Sequence, residues 1–171
     1  MSGSQSTSEH RKSAGDVSAN CSIITCSDTR TVETDTSGQY IQSQLLAADH
    51  QIVNYQIIPD DVHRVRVLIG EQLTSSVDVI LLNGGTGIAR RDVTYDVIAS
   101  MLERTLPGFG ELFRALSFEE IGAASMLSRA VAGTIGGTLI FSMPGSTNAV
   151  SLAMDKLILP ELRHLVWELR R

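Results

Sequence analysis

The chain alternates short apolar runs with longer stretches whose apolar side chains recur every three or four positions. That alternation constrains its fold more than any other feature, because a period near two belongs to a strand and one near 3.6 to a helix. "CSIITCS" (21–27), "QIVNYQII" (51–58) and "VDVILL" (77–82) are strand-like, the first of the kind buried on both faces. Ile41, Leu45 and Ala48 recur at helical spacing after a cap at Thr36 or Asp35. Val62, Val65, Ile69 and Leu73 mark a second helix, and Val97, Ile98, Met101 and Leu102 a third, capped by Asp92 or Thr94. Pro107 to Ser128 is helical in pattern but interrupted by Gly108, Gly110 and Gly122, which predicts two short helices. Gly136-Gly137 between strand-like runs predicts a two-residue hairpin. Val150, Ala153, Met154 and Leu157 mark a further helix, and Pro160 opens a last one with Leu162, Leu165, Val166 and Leu169 inward. Strands alternating with helices predict an α/β fold of βαβ units, with a mostly parallel sheet and one short antiparallel strand from the hairpin.

Length and composition narrow the function. At 171 residues one domain is expected, placed at 19–171, behind a Ser/Gly-rich tail expected to be disordered over 1–18. A net charge of −5 argues against a nucleic-acid partner. Cys21 and Cys26 lie five apart on one strand, so they point to opposite faces and cannot bridge each other. They read as buried apolar residues of a reducing compartment. No apolar run approaches a membrane span, and 1–18 lacks the apolar core of a signal peptide, so a cytoplasmic protein without a membrane partner is expected. His10, His50, His63 and His164 are scattered without zinc-ligand spacing.

The chemistry concentrates where strands end. "NGGTGIARRD" (83–92) fits neither the Walker A loop nor the dinucleotide fingerprint, since no Lys-Ser or Lys-Thr follows and Arg90 stands where a third glycine is needed. In an open α/β sheet, ligands bind outside the carboxyl ends of the strands. "SDTR" (27–30), "PDD" (59–61), the glycine loop and "PGST" (144–147) should crowd that edge, with glycine-freed N–H groups, helix N-termini, hydroxyls and carboxylates. Helix N-termini favour phosphates, and carboxylates beside phosphates make sense when a divalent cation, usually Mg²⁺, lies between. The pattern therefore points to nucleotide chemistry. Each piece also has a structural reading: Asp60, Asp61 and Asp92 as helix N-caps, the glycines as a tight turn, Ser27 and Asp28 as turn residues.

"ITCSDTR", "DTSGQY", "NGGTGIARRDVT", "PGFGELFRALSFEEIG", "LSRAVAG" and "FSMPGST", in this order and spacing, resemble the MoaB/Mog family of molybdenum cofactor biosynthesis, and "DTSGQY" and "LSFEEIG" look most like its MoaB branch. The resemblance implies a three-layer αβα fold, assembly as trimers or hexamers, and binding of molybdopterin, a pterin with a dithiolene and a terminal phosphate. It also implies the Mog-type activity, in which Mg-ATP and molybdopterin give adenylylated molybdopterin and pyrophosphate, the product passing to a molybdenum-insertion protein. By the same resemblance Gly84, Gly85, Thr86 and Gly87 form the phosphate and nucleotide loop, with Ser27 beside it. Asp60 takes the metal and a catalytic role, Asp92 a catalytic and substrate-binding one, and Pro144, Gly145 and Ser146 help hold the pterin phosphate. Glu111 matches a motif position without an assigned role. "PGST", Ile88 and Tyr95 depart from the Mog-type pattern. The alternatives are a catalytically silent molybdopterin-binding scaffold and a pyrophosphohydrolase on the same fold.

Overall fold

The computed structural model describes residue 15 and residues 17–171. Six strands form one sheet in the order β2-β1-β3-β6-β5-β4, with β1 at Asn20–Cys26, β2 at Gln51–Ile58, β3 at Val79–Asn83, β4 at Arg104–Thr105, β5 at Val131–Ile135 and β6 at Thr138–Met143. β2, β1, β3 and β6 are parallel, and β5 alone runs against them, returning through the expected hairpin. Gly136 and Gly137 turn that hairpin at φ 55° and 87°, a backbone that side-chain-bearing residues rarely adopt. β4 pairs antiparallel to β5 at the sheet edge. Its two exposed residues carry no alternation to read in sequence.

Strand residues divide by parity between the two helical layers. Cys21 and Ile23, Val79 and Leu81, and Leu139 and Phe141 face one layer. That layer comprises α1 (Thr36–Ala47), α4 (Pro107–Ile121), α5 (Thr147–Ala153) and α6 (Leu159–Leu169). Ile24 and Cys26, Ile80 and Leu82, and Ile140 face the other, made by α2 (Val62–Leu73) and α3 (Thr94–Met101). The result is a three-layer αβα sandwich. Cys21 and Cys26 are free, buried and on opposite faces, and burial pushes both thiols up to about 12.

Three boundaries differ from the sequence reading. α4 runs unbroken through Gly108 and Gly110, because burial of Phe109 and Phe113 outweighs roughly 1 kcal/mol of lost propensity per glycine. It ends at Gly122, where a 3₁₀ segment (Gly122–Leu127) follows. Pro160 does not open a separate helix. α5 continues into α6 through a π-helical turn, Met154–Ile158, in which the Leu159 N–H donates to the Met154 carbonyl. Such a turn absorbs the N–H that proline lacks. The tail expected over 1–18 lies outside the described residues except at its end. There Arg163 donates to the Gly15 and Val17 carbonyls, Ser18 donates to that of Asp49, and Val17 packs on the core. These last residues belong to the folded body.

Candidate functional site

The strand order reverses between β1 and β3: the chain leaves β1 for β2 on one side and reaches β3 on the other. A crevice opens at such a reversal, outside the carboxyl ends of the strands. Here it forms two neighbouring compartments that share Cys26, Ser27, Gly85 and Asp92. One, of about 410 Å³, runs from Arg30 and Asn83 along Gly84, Gly85, Thr86 and Gly87 to Gly145 and Ser146. The other, of about 150 Å³, lies between Asp28, Asp60 and Arg91. Every expected site residue except Pro144 lines one or both compartments. Pro144 sits half-buried on the same loop as Gly145.

The glycine loop is shaped by contacts that leave no room for side chains. Gly84 has φ 96°, and a Cβ there would sit on the Cys26 carbonyl oxygen. Its N–H donates to the Met143 carbonyl, which ties β3 to β6 at the rim. Gly145 approaches so closely that a Cβ on it would lie 2.9 Å from Gly84 Cα. The two loops thus meet backbone to backbone. Thr86 is largely buried and lines the larger compartment.

Arg129, in "LSRAVAG", fixes the far side of the loop. Its guanidinium donates to the Thr86, Gly87 and Asp92 carbonyls at 2.9, 2.6 and 3.3 Å, pairs with Asp96 at 2.9 Å and lies over the Tyr95 ring. Sequence reasoning assigned it no role, because its partners lie over thirty residues away.

The two aspartates do not cap the helices that sequence offered them. Asp61 is the N-cap of α2, accepting from the Arg64 N–H. Asp60 reaches across the cleft to the start of α3, where its Oδ1 accepts from Thr94 Oγ1 at 2.8 Å and the Thr94 N–H at 3.1 Å. α3 lacks a cap of its own, so neither Asp92 nor Thr94 caps it. Asp92 Oδ2 instead accepts from the Ala89 N–H and closes the turn after the glycines. Ser27 Oγ accepts from the Thr29 and Arg30 N–H groups, and Ser146 caps α5 through the Ala149 N–H.

Beneath the cleft lies a polar cluster that sequence did not reveal. Asp35, the N-cap of α1, is wholly buried, and its carboxylate accepts from Thr25 Oγ1, Tyr55 Oη, the Gly38 N–H and Arg30. Burial pushes its carboxyl up, but those four hydrogen bonds outweigh burial and hold it below the usual carboxylate range. Arg30 donates its other edge to the Gly145 carbonyl at 2.8 Å and bridges the loops after β1 and β6.

The donor set suits magnesium in one mode only. Among the described residues no three His, Cys, Asp or Glu side chains are placed to form a protein cage for a metal. Asp60 Oδ2 and Asp92 Oδ2 are hard oxygens lying against Gly85 and Gly87, and Mg²⁺ commonly takes one or two carboxylates plus substrate phosphates.

An open α/β sheet with a glycine-lined cleft at its strand reversal defines the class of this protein, and comparison with known proteins defines the family. The family profile described as a probable molybdopterin binding domain matches residues 22–164. The chain is 51% identical to molybdenum cofactor biosynthesis protein B of Bacillus cereus over 169 residues, covering 97% of this chain and 99% of that one. Its fold matches a solved tungsten cofactor synthesizing protein MoaB from Pyrococcus furiosus at 38% identity and TM-score 0.81, covering 90% of this chain and 98% of that one. It matches the molybdopterin biosynthesis Mog protein of Mycobacterium ulcerans at 27% identity and TM-score 0.81, covering 91% and 99%. The chain belongs to the MoaB/Mog family of molybdenum cofactor biosynthesis proteins. Its identity to the protein B relative well exceeds its identity to the Mog protein.

Proposed function

We propose that the cleft binds molybdopterin and adenylylates it with Mg-ATP, releasing pyrophosphate. One observation carries this reading: the Gly84–Gly87 backbone, the Gly145 loop and the carboxylates of Asp60 and Asp92 share a single crevice at the strand reversal. Glycine backbone can approach a phosphate without steric hindrance, and its N–H groups supply donors without a P-loop lysine. Adenylyl transfer needs little beyond positioning and charge neutralisation, because the terminal phosphate of molybdopterin is already a nucleophile. Its oxygen attacks the α-phosphorus of ATP, and the bond to the bridging oxygen breaks as pyrophosphate leaves. Asp60 and Asp92 would hold Mg²⁺ with the phosphates, and the ion would offset charge on the leaving group. Cys26 takes no nucleophilic part, because its buried thiol stays protonated at neutral pH.

A second reading, a molybdopterin-binding scaffold without catalysis, has its own support: Asp60 Oδ1 is engaged at the start of α3 and Asp92 Oδ2 by the Ala89 N–H, so both carboxylates already serve the fold. Turnover separates the readings. Mixed with molybdopterin and Mg-ATP, the protein is expected to release pyrophosphate and form adenylylated molybdopterin, and to release nothing from ATP alone. Hydrolysis of ATP without molybdopterin would instead identify a pyrophosphohydrolase. Tight molybdopterin binding without turnover would identify the scaffold.

A further inference from the structure

Asn83, the last residue of β3, is wholly buried and lines the larger compartment. Its amide is half used. Nδ2 donates to Thr25 Oγ1 at 2.8 Å, whereas Oδ1 has no hydrogen-bond partner among the described residues. Buried polar atoms are rarely left unpaired, so an orphan at a ligand cleft calls for an explanation.

The amide cannot relieve itself by turning over. Thr25 has one hydroxyl proton, and the buried Asp35 carboxylate takes it at 2.5 Å. An ionised carboxylate only accepts, and the hydrogen bonds around Asp35 favour its ionised form. Thr25 Oγ1 is therefore left to accept, and what it faces on the paired strand must be the NH₂ of Asn83. The direction of donation is set along the whole chain, from Asn83 to Thr25 to Asp35. Oδ1 is left on the side of Gly145, 3.9 Å from where a Cβ on that residue would lie.

We propose that Asn83 is a ligand-reading residue, whose carbonyl oxygen accepts a hydrogen bond from a neutral N–H or O–H group of the phosphate-bearing ligand. This rests on the phosphate-cleft reading above and adds a specificity element to it. Backbone N–H groups recognise phosphate oxygens, which only accept. Asn83 Oδ1 has the opposite polarity and selects for a donor attached to the same molecule. Such a donor comes either from a pterin ring, through its ring N–H or exocyclic amine, or from a nucleoside, through a ribose hydroxyl or base amine. Thr25 and Asp35 are positioning residues that fix the amide's orientation.

Two variants test this with molybdopterin, Mg-ATP and magnesium pyrophosphate as calorimetric probes. Asn83→Leu keeps the volume and removes the acceptor. Thr25→Val leaves Asn83 in place but removes the hydroxyl that orients it. Both are expected to lower affinity for molybdopterin or for ATP by roughly tenfold or more. Pyrophosphate, which carries no such donor, should bind as in wild type. The probe that weakens identifies the source of the donor. Unchanged affinity for both molybdopterin and ATP, or loss of pyrophosphate binding in equal measure, overturns the proposal. Wild-type protein that binds none of the three overturns the cleft reading itself.

Discussion

Asp35 shows how one buried charge can organise a site it does not line. It gathers Thr25, Tyr55, the Gly38 N–H and Arg30, and through Arg30 it reaches the Gly145 carbonyl. Removing the charge strands Arg30 and the two hydroxyls, so Asp35→Ala should cost about 3 kcal/mol or more at neutral pH, measured by urea denaturation. Its pH dependence follows from the lowered carboxyl. The folded-state pKa lies below the unfolded value of about 3.9, so this stability is present above that value and is lost as pH falls through the folded one. Urea midpoints of the wild type should therefore decline toward acid more steeply than those of Asp35→Ala. Parallel curves would mean the carboxylate gains nothing from its four donors.

The glycine loop between β3 and α3 is held mainly from outside itself. Arg129 grips three of its carbonyls and Asp60 caps the helix that follows it. Arg129→Met, which keeps an apolar stem beside Tyr95, should speed amide exchange over residues 86–92 by about tenfold or more while β1 and β3 stay protected. Uniform protection across the loop would refute that clamp. The same feature explains what sequence could and could not disclose. Periodicity located the main strands and helices, and Gly136-Gly137 located the hairpin. Strand ends also indicated which loops would meet. Arg129, Asn83 and Asp35 were opaque because their roles consist of partners far away in sequence. The structural alternative for Asp60, a cap for its own helix, fell to Asp61, and nothing local could show Asp60 reaching to α3. β4, with two exposed residues, has no period to detect, and the π turn before Pro160 resembles a helix start until the chain is seen to continue.

At the scale of the whole molecule, exposed apolar residues gather on one stretch of the chain. Phe109 and Phe113 are buried in the protomer's own core. Leu112 and Phe118 are exposed, and Ile121, Met126 and Leu127 extend an apolar run along α4 and the segment after it. Such a run suits an interface between copies of the chain. Sedimentation should find an oligomer, a trimer or a hexamer, at micromolar concentration, and Phe118→Glu should shift it toward monomer. A wild-type monomer would reject this.

The central claim, that the cleft at the strand reversal transfers an adenylyl group, is tested most directly by Asp60→Asn, with pyrophosphate release and molybdopterin affinity measured side by side. Asparagine keeps an oxygen for the Thr94 N–H and hydroxyl, so α3 stays capped and the fold is preserved. It removes the charge that would hold Mg²⁺ against the leaving pyrophosphate, an interaction stronger in the transition state than in the ground state. The account predicts a fall in turnover of roughly a hundredfold or more, about 2.7 kcal/mol, with molybdopterin affinity nearly unchanged. Equal turnover in wild type and Asp60→Asn would contradict it.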